Sequence, residues 1–362
     1  MRSAWALPAV GNGARLSRFR PVTMTKPDFW VGSYARAGGR GLYPLTVGRD
    51  GGLIMGEPEP GLANVSFALW HERLPVAWFV DEAGGGISAW RLGLRGWEQV
   101  GSVMRTGVQP CYLARYGPGE LLAVANYGDG SIELIATDPL TGALGGSRGR
   151  AAPSGSGSHP DRQRGPHAHC VVFDQNDGAL FHVDLGLDRV FRYPVNRGEL
   201  GHGHVVFECP ARWGARHLRF LGDGIYALLV CEMAAQCILL EWRGTNFVAH
   251  GTVALAPPSR GVTALGGHLE IIGPDTALVS TRGHNSVAVL AVAQGGLVRL
   301  AVAASGGISP RHVCVANSQM IVAHEESGGV TAMSLPGAAS AIERAAVPGA
   351  AFILPSRRII RE

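Results

Sequence analysis

The stretch Phe181-His182-Val183-Asp184, followed by a short turn and then by Asp188-Arg189-Val190, decides the fold of this chain. It reads as an apolar strand, a polar turn and the second strand of a hairpin. The same phrase occurs six more times, so internal repetition is the main feature of the sequence. The other copies begin with Trp30-Val31-Gly32-Ser33-Tyr34, Trp78-Phe79-Val80-Asp81-Glu82, Ala123-Val124-Ala125-Asn126-Tyr127, Leu228-Leu229-Val230-Cys231-Glu232, Ala277-Leu278-Val279-Ser280-Thr281-Arg282 and Ile321-Val322-Ala323-His324-Glu325.

One apolar residue marks the second strand of every copy and gives the period of the repeat. The marker residues are Leu42, Ile87, Ile132, Val190, Ile238, Val287 and Val330. A period of roughly 40–50 residues with several short strands per unit is typical of a β-propeller. One four-stranded sheet cannot cover both of its faces, and radial stacking buries each sheet against its neighbours. The sequence therefore predicts an all-β fold, a seven-bladed β-propeller with four-stranded antiparallel blades around a central channel.

The repeat also predicts the domain boundaries. A single propeller is expected over 29–362, preceded by a basic, flexible N-terminal extension over 1–28 that holds no acidic residue before Asp28. The longest interval between repeats contains a Gly/Ser/Pro-rich segment, which predicts a flexible surface insertion at 141–165 that could cover a site. The apolar stretch Ala350–Leu354 is expected to close the ring by pairing with N-terminal residues.

Composition narrows the class of protein. The chain has 362 residues, of which 46% are hydrophobic and 17% charged, and its net charge is +4. These values exclude a disordered chain, and no uncharged apolar run is long enough to cross a membrane. The basic residues are scattered, and all but Lys26 are arginine, so neither a nucleic-acid surface nor a lysine Schiff base is expected. The six cysteines lie in apolar runs without a C-x-x-C pair, which favours buried thiols in a reducing cytoplasm.

Two short motifs place imidazole and guanidinium groups where inner strands are expected to begin. Gly165-Pro166-His167-Ala168-His169 puts two imidazoles on one face of a strand, as a metal pair, a catalytic histidine with its neighbour, or two hydrogen-bonded histidines. A zinc site needs a third ligand, and none is recognisable nearby. Ala215-Arg216-His217 and its echo Pro310-Arg311-His312 enter innermost strands. An arginine there either holds a carboxylate or phosphate or stabilises the packing of the blades.

Charged residues follow two of the second strands. Glu232 comes directly after Leu228–Cys231, and a carboxylate that ends such an apolar strand is either paired with an arginine or functional. Arg282 and His284 lie in the turn after another such strand, where Gly283 permits a tight backbone. The sequence holds no G-x-S-x-G elbow, Walker loop or dinucleotide-binding motif, so neither serine-based acyl transfer nor a nucleotide cofactor is expected.

Together these phrases resemble the seven-bladed propeller lactonase family, which includes the bacterial propeller-type 6-phosphogluconolactonases and is similar to the fungal carboxy-muconate cyclases. The resemblance runs over roughly 29–355. Its motifs are Val31-Gly32-Ser33-Tyr34, Gln109-Pro110-Cys111, Val124-Ala125-Asn126-Tyr127-Gly128, Pro166-His167-Ala168-His169, Val183-Asp184-Leu185-Gly186-Leu187-Asp188-Arg189-Val190, Ala215-Arg216-His217-Leu218 and Arg282-Gly283-His284-Asn285-Ser286. The chain departs from the family pattern at Tyr112, where the family often has His, at Ala215, where Pro is usual, and at Cys231, where Asn is usual.

The resemblance implies a set of site residues and a reaction. The catalytic residues would be Arg216, Glu232, Arg282 and one histidine of the H-x-H pair, His169 in preference to His167. From their places in the motifs described above, His167, His217, His284 and Arg311 are expected to bind the substrate. The reaction would be hydrolysis of a sugar lactone, first of all 6-phosphogluconolactone in the pentose phosphate pathway. A general base, Glu232 or His169, would activate water, and the arginines would stabilise the oxyanion.

The resemblance implies no metal and no cofactor. The expected partner is a small anionic lactone, without nucleic acid or membrane, and the protein is expected to be a cytoplasmic monomer or weak homo-oligomer. Two alternatives remain open: a carboxy-muconate-type lactonising cyclase, which would use the same residues for addition across a double bond, and a non-catalytic propeller that binds a partner on one face.

Overall fold

The computed structural model describes residues 27–117, 120–293, 295–316, 319–335 and 342–357. Within them the chain forms thirty β-strands and one short 3-10 helix, Ala35–Ala37. Seven antiparallel sheets of four strands account for all but two of these strands. The seven-bladed β-propeller expected from the repeats is thereby confirmed. The predicted N-terminal extension lies, as far as residue 26, outside the described residues.

The blades are numbered along the chain, and their strands are given from the channel outwards. Blade 1 is β30 (Ala350–Pro355), β1 (Phe29–Ser33), β2 (Leu42–Val47) and β3 (Leu53–Met55). Blade 2 is β4 (Ala68–Trp70), β5 (Val76–Asp81), β6 (Gly86–Gly93) and β7 (Gly96–Arg105). Blade 3 is β8 (Pro110–Tyr116), β9 (Leu121–Asn126), β10 (Ser131–Thr137) and β11 (Leu144–Ala151).

The remaining blades repeat this arrangement. Blade 4 is β12 (Ala168–Phe173), β13 (Leu180–Asp184), β14 (Arg189–Tyr193) and β17 (His204–Glu208), with a small hairpin of β15 (Val195–Asn196) and β16 (Glu199–Leu200) before its outer strand. Blade 5 is β18 (Ala215–Phe220), β19 (Tyr226–Cys231), β20 (Gln236–Trp242) and β21 (Phe247–Ala254). Blade 6 is β22 (Leu265–Ile271), β23 (Thr276–Arg282), β24 (Ser286–Ala293) and β25 (Gly296–Ala304), and blade 7 is β26 (Pro310–Ala316), β27 (Gln319–His324), β28 (Gly329–Ser334) and β29 (Glu343–Ala346).

The repeated phrases form the second and third strands of the seven blades. In β19, for example, every residue after Tyr226 is buried. These strands are apolar on both faces because the blade packs against a neighbour on each side. The outer strands are more exposed and more polar, as in β11. The repeat visible in the sequence is therefore the buried middle of each sheet.

The chain ends by closing the ring. The last strand, β30, is the innermost strand of blade 1 and pairs with β1 through Trp30 and Leu354 and through Gly32 and Phe352. This confirms the expected pairing of the two ends of the chain. The carbonyl of Pro355 also accepts a hydrogen bond from Trp70 Nε1 of blade 2 at 2.9 Å, so the closing strand is held on both of its sides.

The segment expected to be a flexible insertion is partly regular. Leu144–Ala151 is the outer strand β11, so the insertion begins after Ala151 and continues to the start of β12. Its end is tied down by the buried side chain of Gln163, whose Nε2 donates to the carbonyl of Leu185 at 2.9 Å and to Asp188 Oδ2 at 2.7 Å. The boundary of the predicted insertion is thus corrected, and its mobility stays a prediction.

Six aromatic side chains from six blades form a closed circuit across the channel, here called the aromatic layer. They are Phe67, Tyr112, His217, His268, His312 and Phe352, with neighbouring ring centroids 3.8 to 5.4 Å apart. Blade 4 contributes the small Cys170 at this level, which lets Tyr112 reach His217 directly at 5.1 Å. The layer separates an upper mouth, where the inner strands begin, from a lower mouth, where they end.

The described part of the chain contains no helix long and apolar enough to cross a membrane. All six cysteines are buried and none forms a disulfide, as their apolar surroundings predict. Burial raises the pKa of the Cys170 thiol to about 11, so this thiol stays protonated beside the aromatic layer.

Candidate active site

Glu232 is the centre of an ion-pair cluster at the upper mouth. Its side chain is only 2% exposed, and three guanidinium groups contact its carboxylate. Arg216 donates to Oε2, Arg282 Nη2 lies 2.9 Å from the same oxygen, and Arg162 Nη2 donates to Oε1 at 2.7 Å. Three cations around one carboxylate leave two positive charges in excess, which favours the binding of an anion.

His169 completes this cluster. Its Nε2 lies 2.6 Å from Arg216 Nη1 and 3.9 Å from Glu232 Oε2. A guanidinium can only donate, so Nε2 accepts this hydrogen bond and the ring proton is assigned to Nδ1. Arg216 is fixed a second time, because its Nε donates to the carbonyl of Gly267 at 3.1 Å. The four residues named as catalytic from the sequence therefore meet in one place.

The electrostatics of the cluster set its protonation state. Burial opposes the ionisation of Glu232, but the charges of Arg282, Arg216 and Arg162 hold the pKa of its carboxyl well below the usual range. Burial, with Arg216 beside it, holds the pKa of His169 well below its usual value. Burial, opposed by Glu232, lowers the pKa of Arg216 to about 10. At neutral pH the cluster is thus a carboxylate among charged arginines with a neutral imidazole.

A register irregularity in the inner strands explains how His169 and Arg216 reach the cluster. The pairing of inner and second strands shifts between Ala168 and Cys170 in blade 4 and between Ala215 and His217 in blade 5. A bulge leaves the intervening residue outside the regular ladder and reorients its side chain. The intervening residues are His169 and Arg216, and blade 7 places Arg311 in the same way.

Arg162 is the cluster member that sequence reasoning missed. It lies in the Gly/Ser/Pro-rich insertion, whose composition predicts a loop that could cover a site but marks no particular residue in it. Its side chain is 36% exposed, reaches Glu232, and also lies 3.3 Å from the hydroxyl of Tyr127. The neighbouring Gln163, buried against blade 4, anchors the segment that carries it.

The two histidines of the H-x-H motif have different surroundings. Strand β12 begins at Ala168, so His167 precedes it, and the expected pair on one strand face does not form. His167 stacks on the Tyr127 ring at 4.5 Å, and its Nδ1 lies 2.8 Å from the Tyr127 carbonyl oxygen. The same tyrosine meets His169 edge to face at 5.5 Å. Tyr127 therefore separates the two imidazoles and holds His167 at the rim.

The other predicted substrate-binding residues lie at different depths. His217 belongs to the aromatic layer directly below His169, at a ring distance of 5.4 Å. His284 follows β23 and pairs through Nδ1 with Ser286 Oγ at 2.8 Å, and no described contact joins it to the Glu232 cluster. The described residues contain no group of three or more His, Cys, Asp or Glu side chains that could hold a metal ion. The binding roles of His217 and His284 stay predictions.

Arg311 belongs to a second cluster at the same mouth, formed by Tyr34, Arg36, Glu82, Arg311 and Glu325. Arg311 lies 3.5 Å from Glu82 Oε2 and 3.2 Å from Glu325 Oε2. The hydroxyl of Tyr34 donates to Glu82 Oε2 at 2.7 Å, and Arg36 pairs with Glu325. Two cations face two carboxylates here, so this cluster is electrically balanced, in contrast to the one around Glu232.

A cavity of about 650 Å³ opens at the lower mouth. Its lining includes Phe67 and Tyr112 of the aromatic layer, Arg115 and Arg219, and both apolar and polar residues from the ends of inner strands. It shares no residue with the Glu232 cluster, because the aromatic layer lies between them. The convergence of charged and titratable groups, rather than the size of a cavity, marks the upper mouth as the candidate active site.

The fold and the cluster define a class of protein: a seven-bladed propeller whose channel mouth carries a buried, anion-attracting Arg–Glu–His site. The chain belongs to the lactonase, 7-bladed beta-propeller family, whose sequence model matches residues 28–348. A 6-phosphogluconolactonase of Bacillus subtilis is 25% identical over 320 residues, which cover 85% of this chain and 90% of the relative.

Solved structures show the same fold at lower sequence identity. A periplasmic gluconolactonase of Pseudomonas aeruginosa superposes with a TM-score of 0.80 at 23% identity, covering 90% of this chain and 97% of that structure. A protein from Lactobacillus plantarum superposes with a TM-score of 0.81 at 24% identity, covering 91% of this chain and 99% of that structure. These likenesses support the fold of the whole described chain.

Proposed function

We propose that this protein hydrolyses a sugar lactone, with 6-phosphoglucono-δ-lactone as the first substrate and 6-phosphogluconate as the product. The observation that carries the proposal is the pair of excess positive charges around buried Glu232. A phosphorylated lactone brings an anionic group and develops a second negative charge on its carbonyl oxygen during attack by water. The lactonase family and the 6-phosphogluconolactonase of Bacillus subtilis support the reaction class.

The cluster divides the reaction among its residues. Glu232 accepts a proton from the attacking water, whose oxygen adds to the lactone carbonyl carbon. Arg216 and Arg282 stabilise the oxyanion that forms. When the ring carbon–oxygen bond breaks, the proton held by Glu232 passes to the departing ring oxygen, which becomes a hydroxyl. Neutral His169 positions Arg216 by accepting its hydrogen bond at 2.6 Å.

Arg162 connects substrate binding to the activation of Glu232. A carboxylate held by three arginines is a weak base, since its pKa is held low. Arg162 is the most exposed of the three, 36% against 4% for Arg216 and 14% for Arg282, and it comes from a loop rather than a strand. The substrate's anionic group draws Arg162 away from Glu232, and the loss of one cation raises the basicity of the carboxylate.

The test is the hydrolysis of freshly made 6-phosphoglucono-δ-lactone, corrected for spontaneous opening. Wild type is compared with Arg216→Ala and with Arg148→Ala, a control that removes an exposed ion pair with Glu199. We expect Arg216→Ala to lose about 10²–10³-fold in kcat, the effect of removing one oxyanion donor, while the control keeps wild-type activity. Absence of wild-type turnover above background would refute the proposal in favour of a muconate-like lactone or a non-catalytic propeller.

A cytoplasmic location and a monomeric or weakly associated state accompany this proposal as predictions. An unphosphorylated gluconolactone is the matched comparison substrate, because it lacks only the anionic group that the excess charge is proposed to hold.

A further inference from the structure

The second cluster at the upper mouth has a composition of its own. Glu82 and Glu325 are each the first residue after the second strand of their blade, the position that Glu232 occupies in blade 5. Arg311 stands on its inner strand where Arg216 stands in blade 5. The mouth therefore carries two copies of one Arg–Glu arrangement, of which the copy around Glu232 is cationic and the other is neutral.

The two clusters lie at the same mouth, because Glu82, Glu325 and Glu232 each follow the second strand of their blades. Arg311 is close enough to contribute electrostatically to His169 and Arg216, and Arg282 in turn acts on Glu325. The carboxylates of the second cluster are not sealed, since the side chain of Glu82 is 14% exposed and that of Glu325 is 16% exposed. Glu232, at 2%, is nearly sealed. The second cluster therefore leaves the edges of two carboxylates accessible at the mouth that holds the cationic cluster.

The orientation of these carboxylates is fixed. Glu82 Oε2 accepts from the Tyr34 hydroxyl and lies near Arg311, and two guanidinium groups pack over the tyrosine ring, Arg36 at 4.3 Å and Arg311 at 5.1 Å from its centroid. Burial and Glu82 raise the pKa of Tyr34 well above its usual value, although Arg311 opposes them, so its hydroxyl remains a donor. A held carboxylate with an accessible edge is an acceptor for neutral hydroxyl groups.

We infer that Glu82 and Glu325 form a polyol subsite that accepts hydrogen bonds from the ring hydroxyls of the lactone, opposite the cationic cluster. This inference rests on the proposed function and deepens it by assigning the residues that recognise the hydroxyl groups of the sugar lactone. An anionic ligand without hydroxyls gains nothing from these carboxylates, whereas an aldonolactone with several hydroxyls satisfies them. The mouth therefore selects its ligand twice, by anionic charge at one cluster and by hydroxyl groups at the other.

The same contacts also join neighbouring blades, and the experiment must distinguish this structural role from ligand binding. Tyr34 and Arg36 come from blade 1, Glu82 from blade 2, and Glu325 and Arg311 from blade 7, so the cluster also ties together the blades around the ring closure. A purely structural role would lower thermal stability and change the handling of all lactones equally. A subsite would instead change the discrimination between lactones that differ in their hydroxyls.

The experiment compares glucono-δ-lactone with δ-valerolactone, which has the same ring without hydroxyls. The variants are Glu82→Gln and Glu325→Gln, with Glu199→Gln as the control because it removes only an exposed partner of Arg148. We expect each mouth variant to raise KM for glucono-δ-lactone about tenfold, the effect of losing a charged hydrogen-bond acceptor, and to leave KM for δ-valerolactone and kcat nearly unchanged. Equal changes for both lactones, or a drop in Tm alone, would overturn the subsite.

Binding separates this inference from the proposed hydrolysis. Calorimetric titration with glucono-δ-lactam and with δ-valerolactam, which are not hydrolysed, needs no turnover. If wild type turns over no lactone but Glu82→Gln binds the glucono-lactam about tenfold more weakly, the hydrolase proposal fails and the subsite stands. If wild type and Glu82→Gln bind the two lactams with the same ratio of Kd values, the subsite is wrong whatever the enzyme hydrolyses.

Discussion

Glu232 sets the charge balance of the upper mouth, and it is also the proposed general base. Among the residues that the structure describes, it is the one carboxylate that Arg162, Arg216 and Arg282 all contact, and it is nearly sealed from solvent. Without it, three guanidinium groups would face each other in a buried site. The residue therefore has two separable effects, one on the attacking water and one on the affinity of the site for anions.

The variant Glu232→Gln separates these effects. We expect kcat for 6-phosphoglucono-δ-lactone to fall about 10²–10⁴-fold, because an amide cannot take the proton of water. We expect the product 6-phosphogluconate to bind more tightly, because the arginines lose their competing carboxylate. The measurements are steady-state kinetics and calorimetric titration with the product, after urea unfolding has shown that the variant is folded. A variant with weaker product binding would contradict the assignment of the arginines to the substrate anion.

The variant Arg162→Ala tests the proposed exchange, in which Arg162 leaves Glu232 for the anionic group of the substrate. Arg162 is one of the groups that lower the pKa of Glu232, so its removal raises that pKa. The base must be deprotonated, so the acid limb of kcat/KM moves to higher pH in the variant. KM for the phosphorylated lactone should rise about tenfold or more, and KM for glucono-δ-lactone much less, since one charged hydrogen bond to phosphate is lost. An unchanged acid limb together with equal KM effects on both lactones would refute the exchange.

The site residues differ in how far the sequence could predict them. His169, Arg216, Glu232 and Arg282 occupy fixed places in a repeat, so the ring brings them together once the number of blades is known. Arg162 lies in a segment without periodicity, and its contact depends on the path of the insertion. A long-range ion pair from an irregular loop leaves no local pattern, which is why the sequence did not reveal it.

At the scale of the elements, the inner strands build the aromatic layer one residue at a time. Two of its members, His217 and His312, belong to the repeated Arg-His motif, but the others differ in type and lie in blades without that motif, so the sequence does not show a layer. The layer also accommodates Tyr112, the residue at which the resemblance to the family predicts a histidine. A tyrosine ring fits the circuit between Phe67 at 4.2 Å and His217 at 5.1 Å, so the departure keeps the layer closed.

The buried imidazoles of the layer make stability depend on pH. Burial holds the pKa values of His217, His268 and His312 well below the usual value, and neighbouring arginines add to this. These histidines are therefore neutral in the folded protein, while the unfolded chain takes up protons below pH ~6.5. Stability is complete above that pH and falls as pH decreases towards the folded pKa values. Each imidazole contributes a slope of about 1.4 kcal/mol per pH unit in that window.

The variant His312→Phe tests this account. Phenylalanine is chosen because the layer already contains one in blade 1, Phe352. Between pH 6.5 and 5 we expect the free energy of unfolding to fall less steeply in the variant than in wild type. The two slopes should differ by about 1.4 kcal/mol per pH unit. Urea unfolding at several pH values measures the two slopes. Glu270, whose pKa burial raises, lies beside His268 and His312 and titrates in the opposite sense, so Glu270→Gln in both backgrounds serves as the control. Parallel profiles for wild type and variant would show that His312 is not the group concerned.

At the scale of the whole molecule, the repeat predicts seven blades, and closure follows from their number. An incomplete first blade leaves an apolar final segment as the natural fourth strand, which is why the pairing of Ala350–Leu354 could be predicted. The end of the third blade could not be predicted, because its outer strand β11 is Gly-rich and polar and resembles a loop in sequence. Apolar alternation is readable only where a strand is buried, and outer strands lack it.

Ring closure by β30 makes the last strand decisive for the stability of all seven blades. Its residues Ala350 to Leu354 are buried, and Phe352 belongs to the aromatic layer between His312 and Phe67. A chain ending at Gly349 loses the inner strand of blade 1 and opens the layer, so we expect it to lose cooperative unfolding, not merely a few degrees of Tm.

A chain ending at Arg357 is the matched control, because it keeps β30 and the two hydrogen bonds at 2.8 Å from Arg357 to the carbonyls of His71 and Leu74. Calorimetry and near-UV circular dichroism compare both truncations with wild type. Addition of a synthetic peptide spanning 349–357 should restore a cooperative transition to the shorter chain, because an open blade presents the unpaired edge of β1. A chain ending at Gly349 that melts cooperatively at the wild-type Tm without the peptide would show that the ring holds without its closing strand.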